Sequence, residues 1–146
     1  MDINSTLNEL LVSLFRDIND IEEQALKTEE YKNVTVNDMH VIEAIGKEQP
    51  KNMTSDARSL SVTTGTLTIA INSLVKKGYV DRIRSEEDRR VVLVSLTAKG
   101  KKVFDHHKRF HDKRIEAIVE ELSEPEREVL QKSLSSVLVF FNGRRK

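Results

Sequence analysis

Leu60-Ser61-Val62-Thr63-Thr64-Gly65-Thr66-Leu67-Thr68 places the tail of one helix, a tight connection and the start of another within nine residues. Thr63 suits an N-cap, because its hydroxyl can accept from an N–H group that the first turn of a helix leaves without a partner. From there Leu67, Ala70, Ile71, Leu74 and Gly78 recur at helical spacing, so one apolar stripe faces a core and glycine closes the helix. The opposite face carries Thr64, Gly65, Thr68, Ile69, Asn72 and Lys76, with no acidic side chain. Hydroxyls and an amide there can hydrogen-bond base edges, and Ile69 can meet a thymine methyl. Taken alone, the same face can equally be an ordinary solvated surface.

The next segment favours the nucleic acid. Tyr79-Val80-Asp81-Arg82-Ile83-Arg84 and Val91-Val92-Leu93-Val94-Ser95-Leu96 are rich in branched residues and read as strands, joined by Ser85-Glu86-Glu87-Asp88-Arg89-Arg90. The hairpin is tipped by Arg89 and Arg90, whose guanidinium groups suit the narrow, electronegative minor groove of A/T-rich DNA; Asp88 is placed to orient one of them through an ion pair. Helix, tight turn, helix and hairpin in this order predict a winged helix-turn-helix over about 35–97, mainly α with a small β-hairpin wing. Expected DNA contacts are Thr64, Gly65, Thr66, Thr68, Ile69, Asn72 and Lys76 on the helix, with Arg84, Arg89 and Arg90 on the wing.

The formal net charge of the 146 residues is zero, yet its distribution is uneven. Residues 1–50 hold four Lys and Arg against 11 Asp and Glu, whereas residues 51–102 hold 11 against five. Positive charge thus sits on the proposed DNA module, and the acidic segment discourages docking in other orientations. There is no cysteine, which excludes disulfides and cysteine-based metal or nucleophile chemistry. No Ser/His/Asp spacing or phosphate-cradling glycine loop points to an enzyme. Neither a signal-peptide pattern nor a membrane-length apolar run is present, so a soluble cytoplasmic chain is expected, with no membrane partner.

Leu7, Leu10, Leu11, Leu14, Ile18, Ile21 and Ala25 predict an amphipathic first helix, with Glu22 beside the stripe. Met39, Val41, Ile42 and Ile45 mark a second helix that begins near Asn37 or Asp38 and stops at Gly46; Pro50 follows, and Thr54 is expected to cap the short positioning helix. Thr97 is expected to cap a long helix to about Leu122. Ser123-Glu124-Pro125-Glu126 reads as a capping box opening the last helix, and Gly143-Arg144-Arg145-Lys146 as a fraying tail. The first and last helices, about 4–28 and 98–142, carry more apolar surface than a small winged-helix core can cover. That predicts a two-fold dimer, which would set two recognition helices about one DNA turn apart on an inverted repeat.

Leu60-x-Val62, Thr66-Leu67-Thr68, Lys77-Gly78-Tyr79-Val80, Asp88-Arg89-Arg90 and Leu96-Thr97-x-x-Gly100, in this order and spacing, resemble MarR-family transcriptional regulators over nearly the whole chain. The resemblance implies a single MarR-type domain over 1–146, about six helices per subunit, and a homodimer on double-stranded DNA. Ile21-Glu22-Glu23, Met39-His40, Val62-Thr63-Thr64-Gly65-Thr66, Arg84-Ser85-Glu86-x-Asp88-Arg89-Arg90 and His107-Lys108-Arg109-Phe110-His111 are most similar to the FabT-like subgroup, repressors of bacterial fatty-acid-synthesis genes. That similarity implies long-chain acyl carrier protein as co-repressor. Its acyl chain would need an apolar pocket, for which Phe15, Ile18, His40, Ile42, Ile45, Phe110, His111 and Ile115 are candidates, though the apolar ones among them are also ordinary core types. Lys108, Arg109, Lys113 and Arg114 offer a basic patch to the acidic carrier.

His107 and His111 are four residues apart, so one helix face can present two imidazoles to one metal ion. Zinc-responsive MarR proteins are similar here, and the resemblance implies Glu22, His40, His107 and His111 as a zinc set. The alternative is that these histidines are hydrogen-bonded core residues.

Overall fold

The computed structural model describes residues 1–26 and 31–144. The expected extension of the first helix to residue 28 and the Arg145-Lys146 end of the tail lie outside the described residues. The chain divides into two compact units, one spanning Met1–Lys108 and the other beginning at Arg109. No helix of the described residues is long and apolar enough to cross a membrane.

The first unit opens with a contiguous helical run: α1 (Ile3–Asn8), a π-helical segment (Glu9–Leu14) and α2 (Phe15–Leu26). The regular leucine spacing predicts a plain α-helix, so the π-helical insert is a departure from it; no proline or glycine marks the place. A π turn is wider than an α turn, so apolar side chains on its two sides do not share one narrow stripe. Leu7, Leu10, Leu11, Val12, Leu14 and Phe15 are all exposed, and Glu22 and Leu26 are the buried residues of the run.

α3 (Val36–Ile45) starts earlier than Asn37 or Asp38 because Thr35 is its N-cap. The Asp38 N–H donates to Thr35 Oγ1 at 3.0 Å, and the Thr35 N–H donates back to Asp38 Oδ2 at 3.1 Å. Asp38 is therefore the acidic partner of a capping box, one turn inside the helix. Gly46, at φ 71°, ends the helix as expected. The cap of α4 (Met53–Leu60) is Asn52 and not Thr54: Asn52 Oδ1 accepts from the Thr54 N–H at 2.7 Å. Asn is the stronger capping residue, and its backbone is extended as an N-cap requires.

That extended backbone also forms a strand the sequence reading lacks. β1 (Lys51–Asn52) pairs antiparallel with β3 (Val92–Leu96), whose other edge pairs with β2 (Val80–Arg84), giving the order β1-β3-β2. The expected two-stranded hairpin is thus a three-stranded sheet with β3 in the middle. Both hairpin strands begin one residue later than their composition indicates. Tyr79 is taken up by the end of α5 (Thr64–Lys77), its N–H donating to Leu74 O at 3.0 Å, and the Val91 N–H closes the loop onto Asp88 O at 2.9 Å.

α5 follows its sequence closely, with Thr63 as N-cap and Gly78 at φ 87° closing it. Leu67, Ile71 and Leu74 pack with Met39, Ile42 and Ile45 of α3 and Val94 of β3 in one core. Thr97 joins this core to α6 (Ala98–Glu120). Its hydroxyl accepts from the Gly100 N–H at 3.1 Å and donates to Gly78 O at 2.6 Å, while its own N–H donates to Tyr79 O at 3.1 Å. Lys99 Nζ reaches Lys77 O at 3.2 Å. Gly100 lies so close beneath Tyr79 that any Cβ would sit 2.1 Å from the Tyr79 carbonyl oxygen.

The second unit holds the end of α6 and α7 (Glu124–Asn142). The predicted capping box is present: the Ser123 N–H donates to Glu126 Oε1 at 2.9 Å and the Glu126 N–H to Ser123 Oγ at 3.3 Å. Hydrogen bonding from the Ser123 backbone N–H, and then from its side chain, holds the Glu126 carboxyl below its ordinary pKa. Counting the first run once, the described residues form six helices, and their architecture is a winged helix-turn-helix with flanking helices.

Candidate nucleic-acid interface

The start of α5 is built from hydroxyls that cap and brace one another. Thr63 Oγ1 accepts from the Thr66 N–H at 3.1 Å and lies 2.8 Å from Thr66 Oγ1; Thr68 Oγ1 donates to Thr64 O at 2.8 Å. Thr68 has therefore committed its proton to the backbone and retains acceptor capacity. Thr66 lines, with Asn37, His40, Val62 and Ala70 among others, a small pocket of about 100 Å³. Thr64, Gly65, Ile69, Asn72 and Lys76 are exposed, and Ile69 is 74% exposed despite being apolar. A Cβ at Gly65 would meet nothing nearer than Thr63 Oγ1 at 3.9 Å, so the backbone here is open to close approach. Free N–H groups and the helix dipole at this end favour a phosphate.

The wing is held in shape by its own side chains. Asp88 binds Arg90 in a fork, with Nε to Oδ1 at 3.0 Å and Nη2 to Oδ2 at 3.1 Å, and also accepts from the Arg90 N–H at 3.0 Å. The Arg90 side chain and backbone N–H together keep the Asp88 carboxyl below its usual range. Arg84 Nη1 donates to Arg89 O at 2.9 Å, tying the strand to the tip. Arg90 remains 90% exposed at its side chain, so the pair presents a guanidinium outward and contributes little to stability by itself.

Between helix and wing lies a cleft of about 470 Å³ lined by Met53, Thr68, Arg82, Arg84 and Val92. Arg82 is absent from the residues singled out by sequence. Its signal was available: it stands two residues before Arg84 on β2, so both side chains leave the same face of the strand. Arg82 Nη1 donates to Asn72 Oδ1, joining the wing to the exposed polar face of α5.

The other candidate residues fall in several places. Ile42 and Ile45 are core residues, Phe15 is 61% exposed, Ile18 is half-buried, and His40 is exposed beside the pocket at the start of α5. Glu22 and His107 are both buried, with ligand-type atoms within 4.8 Å of each other. His107 Nε2 lies 2.5 Å from Glu43 Oε1, a partner that sequence reasoning missed because Glu43 looks like an ordinary exposed helix residue. His111, Phe110 and Ile115 belong to the second unit, where Phe110 and His111 make an edge contact at 5.9 Å and Ile115 is exposed. Lys108, Arg109 and Lys113 are exposed on α6, whereas Arg114 folds over the Phe110 ring at 4.4 Å.

Comparison with known proteins bears on what this surface binds. A family model described as transcriptional regulator SarA/Rot matches residues 25–107. The HTH-type transcriptional regulator SarZ of Staphylococcus haemolyticus is 34% identical over 106 residues, covering 73% of this chain and 71% of SarZ. The structure of Streptococcus pneumoniae FabT in complex with DNA is similar at 38% identity and a TM-score of 0.91, over 97% of this chain and 99% of that one. A Staphylococcus aureus MepR–DNA complex, at 20% identity and a TM-score of 0.75 over 92% and 97% of the two chains, shares the fold.

Proposed function

The chain belongs to the MarR/SarA family of winged-helix, DNA-binding transcriptional regulators, and from that premise we propose that it is a repressor of fatty-acid-synthesis genes. It acts as one MarR-type domain over residues 1–146, homodimeric on an inverted repeat, with long-chain acyl carrier protein as co-repressor. The observation that carries this reading is the likeness to FabT over almost the full length of both chains. The dimer draws support from the exposed Leu7, Leu10, Leu11, Leu134 and Phe141, apolar side chains that α1, the π-helical segment and α7 leave uncovered.

On the DNA, Thr64, Gly65, Thr66, Thr68, Ile69, Asn72 and Lys76 meet the major groove, and Arg84, Arg89 and Arg90 serve the wing. Acylated carrier protein strengthens binding if it prefers the dimer whose recognition helices match successive major grooves; the shift equals its differential affinity for that state. A second reading, a zinc-responsive repressor, is favoured by the buried Glu22 and His107 lying side by side. Zinc would there replace the His107–Glu43 contact with ligand bonds.

The test is fluorescence anisotropy of a labelled A/T-rich inverted-repeat duplex with metal-stripped protein, alone, with long-chain acyl carrier protein, and with zinc. Tighter binding with acylated carrier alone is the expected result. A response to zinc alone, abolished in His107→Ala, would replace the first reading by the second.

A further inference from the structure

Asn72 is the one exposed carboxamide on the reading face of α5, and a carboxamide reads DNA in two opposite ways. Its oxygen accepts and its amino group donates, so a half-turn of the amide exchanges the base edges it can bind. An unrestrained asparagine side chain on a helix surface samples both arrangements and discriminates poorly. Something must fix it for it to specify a base.

The structure supplies that restraint from the wing. Val80, Arg82 and Arg84 alternate onto one face of β2, and Val80 is buried in the core. Two residues later the same face has passed beyond the core, and Arg82 leaves it toward α5. There its Nη1 donates to Asn72 Oδ1. A guanidinium has donors only, so it can face the oxygen of the amide and never the amino group. The amide is therefore held with Oδ1 turned to the wing and its NH₂ group turned outward. Arg82 lines the helix–wing cleft with Met53, Thr68, Arg84 and Val92, none of them acidic.

We propose that Arg82 is a specificity-determining positioning residue, which locks the Asn72 amide so that its amino group faces base-edge acceptors. This rests on DNA binding through α5 but on neither ligand assigned above. Arg82 acts through Asn72; a merely phosphate-binding arginine would raise affinity for every sequence alike.

The experiment selects duplexes from a randomised inverted-repeat pool with the wild-type protein, Asn72→Ala, Arg82→Ala and Arg82→Lys, at one salt concentration. The symmetric position whose preference disappears in Asn72→Ala marks the base pair under Asn72. In the wild type that position should prefer its best base pair about tenfold, the lower range of a good side-chain–base contact. In Arg82→Ala the preference should fall to within about twofold, with other positions keeping theirs, and Arg82→Lys, which retains a donor, should restore part of it. Equal loss of affinity across all sequences, with the preference intact, overturns the proposal in favour of a phosphate contact. A preference unaffected by Asn72→Ala overturns it as well. Failure of the wild type to select any duplex would instead sink the use of α5 for DNA reading, so the two failures are distinguishable.

Discussion

Replacing Gly100 by alanine should unfold this protein more easily, although alanine is the better helix former. The added Cβ would lie 2.1 Å from Tyr79 O, 3.1 Å from Tyr79 C and 3.3 Å from Leu96 Cβ. Two of those neighbours are backbone and cannot swing aside, so α6 must retreat from Tyr79 by about 1 Å to reach ordinary contact distance. That retreat stretches the bonds from Thr97 to Tyr79 O and Gly78 O, each worth about 1 kcal/mol, and strains packing by about 1–3 kcal/mol more. Helix propensity returns about 1 kcal/mol. The net loss is about 3 kcal/mol, equivalent to a fall in Tm of about 10 °C for a chain of this size. Urea denaturation followed by far-UV circular dichroism measures it, at matched protein concentration because assembly also stabilises. Gly65→Ala, whose Cβ would meet nothing nearer than Thr63 Oγ1 at 3.9 Å, is the control and should raise the midpoint by its helix-propensity gain of up to about 1 kcal/mol. A Gly100→Ala midpoint at or above wild type would refute the close approach of α6 to Tyr79.

Arg90→Ala should weaken operator binding about tenfold at physiological salt and lower the salt slope by about one, with Tm unchanged because the side chain is exposed; equal affinity in anisotropy would count against wing insertion. Asp56 is 3% exposed with its Oδ2 unpartnered, and burial pushes its pKa up to about 6, partly offset by Lys51. Since the folded value exceeds the unfolded one, the folded state holds the proton more tightly, and stability is lost as pH rises from about 4 through 6. Asp56→Asn should therefore gain on the wild type across that window, by up to about 3 kcal/mol, and urea midpoints that run parallel from pH 4 to 7 would contradict this. Lys77 Nζ lies 2.8 Å from Asp38 Oδ2, whose side chain is 7% exposed, so Lys77→Met should cost about 1–3 kcal/mol. A double-mutant cycle with Asp38→Asn should recover part of that loss, and strict additivity would deny the pairing.

What the sequence displays well is whatever one periodicity or one cap determines. Thr63, Gly78, Thr97 and the Ser123–Glu126 box stand at their expected stations because each satisfies backbone groups within a few residues of itself. β1 escapes such reading because two residues have no alternation, and its pairing with Leu93 and Val94 is settled some forty residues away. The π-helical segment leaves no mark for the opposite reason: its leucines fit a helical period well enough that the wider turn is invisible. At the interface, the Asp88–Arg90 fork is local and legible, whereas Arg82–Asn72 joins a strand to a helix and needs their relative placement. His40 shows the same limit, since its spacing within α3 says nothing about which neighbouring helix it faces.

The three successive carbonyls of Lys77, Gly78 and Tyr79 accept from Lys99 Nζ, Thr97 Oγ1 and Thr97 N. The first two lie at the C-terminal end of α5, where a helix leaves carbonyls without intrahelical partners, and the third belongs to the residue after the cap. Tied to the first turn of α6, they cannot open unless that turn opens with them. The two segments should consequently exchange their amide hydrogens with solvent as one cooperative unit, the amides of Leu74 to Tyr79 and of Gly100 to Val103 sharing a single opening free energy. A displacement of the start of α6 would then pass to the end of α5 through these bonds, over a junction only a few residues long.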